Sequence, residues 1–581
     1  MFMRRYRGES LIFLILVVSI AVVFWRVLEA DFVFWDDDVE IYANPHLKGI
    51  TPETLRWMFF ETGYVVRYQP LTWLTWSIIY EFSGLKPIGY HLASLLFHCA
   101  NGGLVFLLIR KLLLVVQSGE LDRARYRYLL ICAGLGALLW ALHPLRVEAV
   151  AWVSAFLHCQ ALLFILVAAL CYLEASTGDP AAGSTRFSYW ASVISFALSL
   201  LSYPIGLGFV VILVVLDVFP LKRFKGGWWS TTARRVWLEK LPFVLVACLV
   251  LGLTLLLRFN TSSQWVRPVS LGDFGLLDRV MQAAYVEAYY LWKPWVPFDL
   301  SPVYTTLVKF NPTSVLFLLN AGLILMTSVV LVWKRSQWPA ALALWVCHLI
   351  WLVPVLGLTE HPHYTNDRYS LAGGIWWSVL ASTGLFALWD KRGRRMVALA
   401  AVVVTVLALG ILSVRQINIW KHSVALFEYM IARLGNDPYR ADIYWRLGVA
   451  QMKLGQRDAA LGSFDNVLRI DPKNVLAHKL TADICYNNDR FEDARRHYEA
   501  ALQVDPDDAE LQNGLGSVFV AQGDWIKGTE YFSRAVRLNP DLPMANYNMG
   551  LAMVKEGRVE EAKFYLERAR KLKAKEPSTA K

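Results

Sequence analysis

The sequence predicts an all-α protein in two parts, a polytopic membrane domain of about eleven crossings followed by an α-solenoid of paired helices. Three observations carry this. Hydrophobic residues fill 56% of the 581 positions, above the roughly 45–50% of soluble domains, and the mean hydropathy is positive. Many apolar runs reach the ~18 residues needed to cross a ~30 Å hydrocarbon core. From residue 441 onward those runs give way to a pattern with a 34-residue period, the mark of stacked helical hairpins.

Apolar segments of membrane length fall near residues 11–28, 89–109, 129–142, 155–173, 187–201, 204–219, 241–257, 314–332, 339–357, 370–389 and 397–414. The basic N-terminus and first apolar run resemble a signal peptide, but no small-x-small cleavage site follows, so a retained signal-anchor helix is expected. With the N-terminus in the cytoplasm, the inner loops carry 21 Lys and Arg and the longer outer loops 11, which satisfies the positive-inside rule. The net charge of +11 is therefore topology information, and nucleic acid is not an expected partner. An odd number of crossings places everything beyond about residue 415 on the outer face, periplasmic or lumenal, with a bacterial inner membrane as the expected location. The domain boundaries read as 1–414 for the membrane domain, 415–440 for a linker helix, 441–574 for the repeats and 575–581 for a solvated tail.

The seven cysteines show no CxxC or Cys/His ligand spacing, so neither a disulfide nor a zinc site is expected. Two outer loops are long, 29–88 and 258–313. Each holds an aromatic-rich amphipathic piece, PLTWLTWSIIYEF and RVMQAAYVEAYYLWKPWVP, expected to lie along the membrane surface with Trp and Tyr as interfacial anchors.

In the repeat region Pro472, Pro506 and Pro540 lie 34 apart, as do Gly448, Ala482, Gly516 and Gly550. Ala460, Ala494, Gly528 and Ala562 keep the same step, and so do Phe464, Tyr498 and Phe532, with Tyr565 following 33 on. These positions match the tetratricopeptide (TPR) consensus, and about three and a half repeats fit, enough to bury a continuous core.

The candidate chemistry gathers in the outer loops. Asp36, Asp37 and Asp38 are consecutive just beyond the first membrane helix, where like charges raise one another's pKa and invite a cation, a proton or a hydroxyl donor. Arg67 and Gln69 precede Pro70. His91 and His98 share one face of a helix. His143, Arg146 and Glu148 lie in HPLRVEAVAW, and His361, His363, Asp367 and Arg368 in TEHPHYTNDRY. Any one of these is more often a satisfied buried polar group. Ionisable groups at membrane depth are nonetheless functional candidates, and four clusters on one face suit a ligand with a phosphate at one end and a hydroxyl to be deprotonated at the other. Adjacent carboxylates also suit a divalent cation, though the sequence holds no full ligand set.

The order FVFWDDD, NPHLKGIT, RYQPLTWLT, GYHLASLLFH, HPLRVEAVAWVS, LLSYPIG, LDVFPLKR, EKLPF, LWKPWVP, PVLGL and NDRYSLAG, followed by TPR repeats, resembles the transmembrane-and-TPR O-mannosyltransferases and their bacterial relatives, across nearly the whole chain. The resemblance implies a GT-C-like membrane domain and transfer of a sugar from a polyprenyl-phosphate-linked donor to protein hydroxyls. It places the catalytic acidic motif on Asp36 and Asp37, with Asp38 where relatives carry another residue. Arg67, His143, Arg146 and Arg368 are then assigned to the donor phosphate, with Asp38, Gln69, His91, Glu148 and Asp367 as further site candidates and the TPR repeats as the holder of a protein acceptor. The chain departs from the bacterial pattern at Ala155–His158, where a charged stretch is usual, at Tyr203, where Lys is usual, and at Gln69, where His is usual. Two other readings stand beside it: a catalytically inactive TPR scaffold for envelope or pilus assembly, and a transporter, hinted at by the break at Pro204 and Gly206.

Overall fold

The computed structural model describes residues 2–60, 64, 68–117, 121–179, 182–260 and 268–575. The chain separates into two compact units, Met1–Leu426 and Phe427–Lys581. Among the described residues both are helical, and the strand-like pairing found is one antiparallel bridge between Tyr304 and Thr365.

The first unit begins with α1 (Phe2–Phe24), then α2 (Pro52–Phe60) and α3 (Pro70–Ser83) within the first long loop. There follow α4 (Pro87–Val116), α5 (Arg123–Ala141), the short α6 (Val147–Ala151), α7 (Phe156–Thr177), α8 (Gly183–Ser202) and α9 (Phe209–Val218). Next come α10 (Thr231–Leu238), α11 (Leu241–Asn260), α12 (Leu276–Trp292), α13 (Val315–Trp333), α14 (Pro339–Leu352), α15 (Ser370–Phe386) and α16 (Arg392–Ile417). Every apolar segment read from the sequence falls on a helix. By length and composition, however, six stretches among the described residues are able to cross a membrane, or seven if the α5–α6 pair, bent by 58°, is one span. Two of the other segments are interrupted by breaks that an apolar count does not register. Pro204 opens a 3-10 turn before α9, and a second turn at Val353–Val355 ends α14, so Pro204–Val218 and Pro339–Val355 are short.

The aromatic pieces of the long loops differ from expectation. Trp73 and Trp76 on α3 are 0% exposed. They sit in a cluster with Ile41, Leu47, Met58, Tyr90, Val153 and Phe156. Tyr285, Tyr289 and Tyr290 on α12 are buried as well, whereas Trp292 and Trp295 remain exposed. The rings of α3 bind the first loop to α4 and to the start of α7, which wins over interfacial anchoring because each buried ring removes ~150–250 Å² from water.

On the other side of the sequence map, LDVFPLKR and EKLPF meet in a closed polar knot. Buried Asp217 receives Lys240 Nζ at 2.6 Å and Arg223 Nη1 at 3.1 Å, and the Tyr172 hydroxyl donates to it at 2.7 Å. Arg223 Nη2 also reaches Glu239 at 2.6 Å. Every charge there has its opposite, which is the condition for keeping ions out of water.

In the second unit, four helix pairs follow α17 (Ser423–Leu434), which spans the division between the units. They are α18 (Arg440–Lys453) with α19 (Arg457–Ile470), α20 (Val475–Asn487) with α21 (Phe491–Val504), α22 (Ala509–Ala521) with α23 (Trp525–Leu538), and α24 (Pro543–Lys555) with α25 (Val559–Lys575). The glycines explain the period. A Cβ on Gly448 would lie 2.5 Å from the Phe464 ring, and one on Gly516 2.7 Å from Phe532. In the last pair the residue that fills this place is Leu566, 2.7 Å from a Cβ on Gly550, not Tyr565, so the 34-residue step holds to the end. Gly516→Val should therefore destabilise the array by about 1–3 kcal/mol, the usual cost of overpacking, seen as a lower melting temperature and faster protease cleavage between residues 475 and 540 of the full-length protein.

Candidate functional site

After α1 the chain runs through residues 30–35 and enters the acidic motif. Asp36 is half-buried and has φ +74°, a left-handed backbone that Asp tolerates better than most residues but that still costs energy. Asp37, next to it, is fully buried. Its Oδ2 accepts from the Val33 amide at 2.9 Å, and its Oδ1 from the Ser154 amide at 2.9 Å and the Ser154 hydroxyl at 2.5 Å. Burial pushes the Asp37 carboxyl up to about 7; the Ser154 and Val33 donors pull the other way, and the Asp36 charge adds to the rise. Asp38 opens a π-helical turn, Asp38–Tyr42.

Ser154 belongs to a run of short turns between α5 and α7. There the turn Asp367–Tyr369 packs on Pro144–Arg146 and on α6, so two of the sequence clusters become one. Arg368 forms an ion pair with Glu148, and its backbone amide donates to the other Glu148 oxygen at 3.0 Å. The Arg368 guanidinium also lies 5.0 Å above the Trp152 ring, a favourable cation–π placement. Trp152 is two residues from Ser154, so this pair and Asp37 flank the same turn. Asp367 is buried and accepts from the hydroxyls of Tyr289 at 3.2 Å and Tyr304 at 3.0 Å. Burial and then the Glu148 charge hold its carboxyl high, at about 8.

Arg146 is the exception to this pairing. It is 1% exposed, 5.9 Å from the Trp140 ring, with its Nη2 against Gly374. Its Nε and Nη1 have no hydrogen-bond partner. A buried guanidinium with idle donors is costly unless an acceptor arrives, and the planar fork suits phosphate.

The remaining candidates separate. His143 accepts from the Leu145 amide at Nδ1 and donates from Nε2 to the Pro294 carbonyl at 3.0 Å. Both nitrogens are occupied and the imidazole is neutral, so His143 shapes the turn and does not offer a cation to a phosphate. Gln69 donates to buried Glu40 at 3.0 Å. His91 is buried against the backbone of Ala30 and Asp31, and His98 binds the Ala141 carbonyl at 2.9 Å. His363 is held by Glu360 and the Val355 carbonyl, and His361 stacks on Phe274. Arg67 lies outside the described residues. Among the described residues no three His, Cys, Asp or Glu side chains are grouped to hold a metal ion, so no ligand set for the divalent cation is assembled.

A small cleft opens beside Arg368, lined by His158, Leu162, Ile205, Trp351, Tyr369, Leu371 and Ala372. His158 packs edge-on to Tyr203 at 4.7 Å and to Tyr369 at 5.6 Å. The two main departures from the bacterial pattern are thus one structural event, an aromatic wall facing Arg368.

Comparison with known proteins fits this arrangement. A family model described as tetratricopeptide repeat matches residues 445–509, 486–543 and 514–577. Over 224 residues the chain is 29% identical to protein O-mannosyl-transferase TMTC4 of Homo sapiens, covering 36% of this chain and 30% of that protein. It is 30% identical to human TMTC3, over 39% of this chain and 24% of that one, and 34% identical to Tmtc1 of Drosophila melanogaster, over 22% and 14%. The chain is similar to the transmembrane-and-TPR O-mannosyltransferases. It spans less than a third of the length of these relatives. Among solved structures, MamA is 22% identical with a TM-score of 0.23, covering 26% of this chain and 90% of that one. The Pseudomonas aeruginosa pilF structure is 21% identical with a TM-score of 0.24, covering 27% and 68%.

Reading the sequence missed Ser154, Trp152, Tyr289 and Tyr304, which are the hydrogen-bonding and cation–π partners of Asp37, Arg368 and Asp367. The available signal was Ser154 itself, a hydroxyl that ends the apolar run AVAWV in HPLRVEAVAWVS. Glu148→Ala leaves the Arg368 guanidinium without its acceptor at low exposure. It should destabilise the membrane unit by about 3–5 kcal/mol, measured as loss of thermal stability in detergent.

Proposed function

We propose that the chain is an integral-membrane glycosyltransferase that moves a sugar from a polyprenyl-phosphate-linked donor to a hydroxyl of a protein acceptor, at the outer face of the membrane. The observation that carries this reading is Arg146, a buried guanidinium with two idle donor groups beside the turn that holds the Glu148–Arg368 pair. An anion is what such a site lacks, and a lipid-linked phosphate brings one together with an apolar tail. The names of the similar proteins point to the same reaction class.

In the reaction the acceptor oxygen attacks the anomeric carbon, a new C–O bond forms with inversion, and the bond from that carbon to the phosphate oxygen breaks. The electron pair leaves with the lipid phosphate, where Arg146 and Arg368 meet the developing charge. The acceptor proton passes to the Asp36 carboxylate. Asp37 has three donors on its two oxygens and serves to fix the loop that carries Asp36. The TPR repeats hold the acceptor.

Asp36→Asn should abolish transfer while the protein remains folded in the membrane. Wild-type activity with Asp36→Asn would reject the catalytic assignment and leave the scaffold reading. Asp37 is held near 7, and three donors favour its ionised form. Activity should therefore be present above about pH 7 and fall as pH drops through that value, and a flat profile between pH 5.5 and 8.5 would contradict its role. Arg146→Met tests the phosphate site from the opposite direction. With no acceptor to lose, the variant should match or exceed wild-type thermal stability, while the KM for the lipid donor rises by about tenfold or more, the equivalent of one charged hydrogen bond. A large loss of stability would mark Arg146 as structural.

A further inference from the structure

The acidic loop is held from two sides, and only one belongs to the turns already described. On one side Ser154 grips Asp37. On the other the contacts come from Asn418–Ser423, the short stretch from the end of α16 to the first residue of α17. The Ser423 hydroxyl accepts from the Phe34 amide at 2.9 Å, and the Lys421 carbonyl accepts from the Asp31 amide at 2.9 Å. Asn418 accepts from Arg26 at 3.3 Å. Trp420 is 1% exposed and stacks on Trp152, ring centroids 5.8 Å apart and planes 16° from parallel. The same Trp152 ring lies beneath the Arg368 guanidinium.

One six-residue strap therefore touches both halves of the site. It reaches the carboxylate loop through Phe34, two residues before Asp36, and the cationic half through Trp152. The left-handed backbone of Asp36 makes the first contact matter. A non-glycine residue keeps such a conformation only where its neighbours over-determine it. Here the anchors are Phe34 on Ser423, before it, and Asp37 on Ser154 and Val33, after it.

We infer that Ser423 and Trp420 are positioning residues for the proposed transfer reaction, acting through Phe34 on Asp36 and through Trp152 on Arg368. The inference rests on the glycosyltransferase reading for its kinetic arm. The strap also runs directly into α17, the helix that leads to the repeats, so the residues that set the site are contiguous in the chain with the segment that precedes the acceptor-holding array.

The test uses full-length protein in lipid nanodiscs, with Ser423→Ala, Ser423→Thr, Trp420→Ala and Trp420→Phe. Ser423→Ala and Trp420→Ala should lower kcat about tenfold, equal to ~1.4 kcal/mol of lost alignment, with KM for donor and acceptor unchanged within about twofold. Ser423→Thr and Trp420→Phe, which keep the hydroxyl and the aromatic face, should restore most of the rate. Independent of any activity, amide exchange at residues 33–37 should speed up in Ser423→Ala and return toward wild type in Ser423→Thr. Unchanged kcat in both alanine variants, or a loss that the conservative variants do not rescue, overturns the inference. If Trp420→Ala fails to fold, Ser423→Ala carries the test alone. If Asp36→Asn remains active, the catalytic reading fails, and the exchange measurement still decides whether the strap holds the loop. An inactive Asp36→Asn beside fully active strap variants overturns only the strap.

Discussion

A carboxylate shut away from water stays where it is only when donors converge on it. The three that meet Asp37 tie together parts of the chain more than a hundred residues apart. Val33 comes from the loop after α1, and Ser154 from the turns before α7. Without that convergence the loop would have no reason to lie against Trp152, and the Glu148–Arg368 pair would face a different surface. The aromatic cluster around Trp73 and Trp76 closes the same region from beneath, so apolar burial supplies the bulk of the holding energy and Asp37 sets the register.

The helical class, the apolar segments and the repeats were legible because each follows a local periodicity. The 34-residue step needs a small residue under a ring once per repeat, and Gly448 facing Phe464 shows why nothing larger fits. The placement of the aromatics was not legible. Trp73 and Trp76 look interfacial in a window of α3, yet their fate is decided by α4 and the start of α7, which contact them from elsewhere in the chain. A break is equally silent in a hydropathy window, since a 3-10 turn at Pro204 shortens a helix without changing its hydropathy.

The site was legible in its residue types and not in its pairings. The sequence presents His143, Arg146, Glu148, Asp367 and Arg368 as two clusters of polar residues with no rule for matching them. Folding spends Glu148 on Arg368 and both nitrogens of His143 on backbone groups, and leaves Arg146 with donors idle. Which cation is structural and which is available depends on hydrogen bonds of long sequence separation, and no spacing rule encodes those. Asp36 and Asp37 show the same thing at closest range. They are adjacent, chemically identical residues, one with a strained backbone and the other with its oxygens fully engaged.

The repeat array has a direction of its own. Each hairpin packs on the next through α19 with α20, α21 with α22 and α23 with α24, so its stability is a sum of nearest-neighbour contributions. The end pairs α18–α19 and α24–α25 each pack on one other hairpin, and α24–α25 alone uses Leu566 where the others place a ring. Unzipping should therefore begin at that end and progress toward α18. Local opening of the array is therefore graded along its length, rarest near α18 and most frequent at the last hairpin.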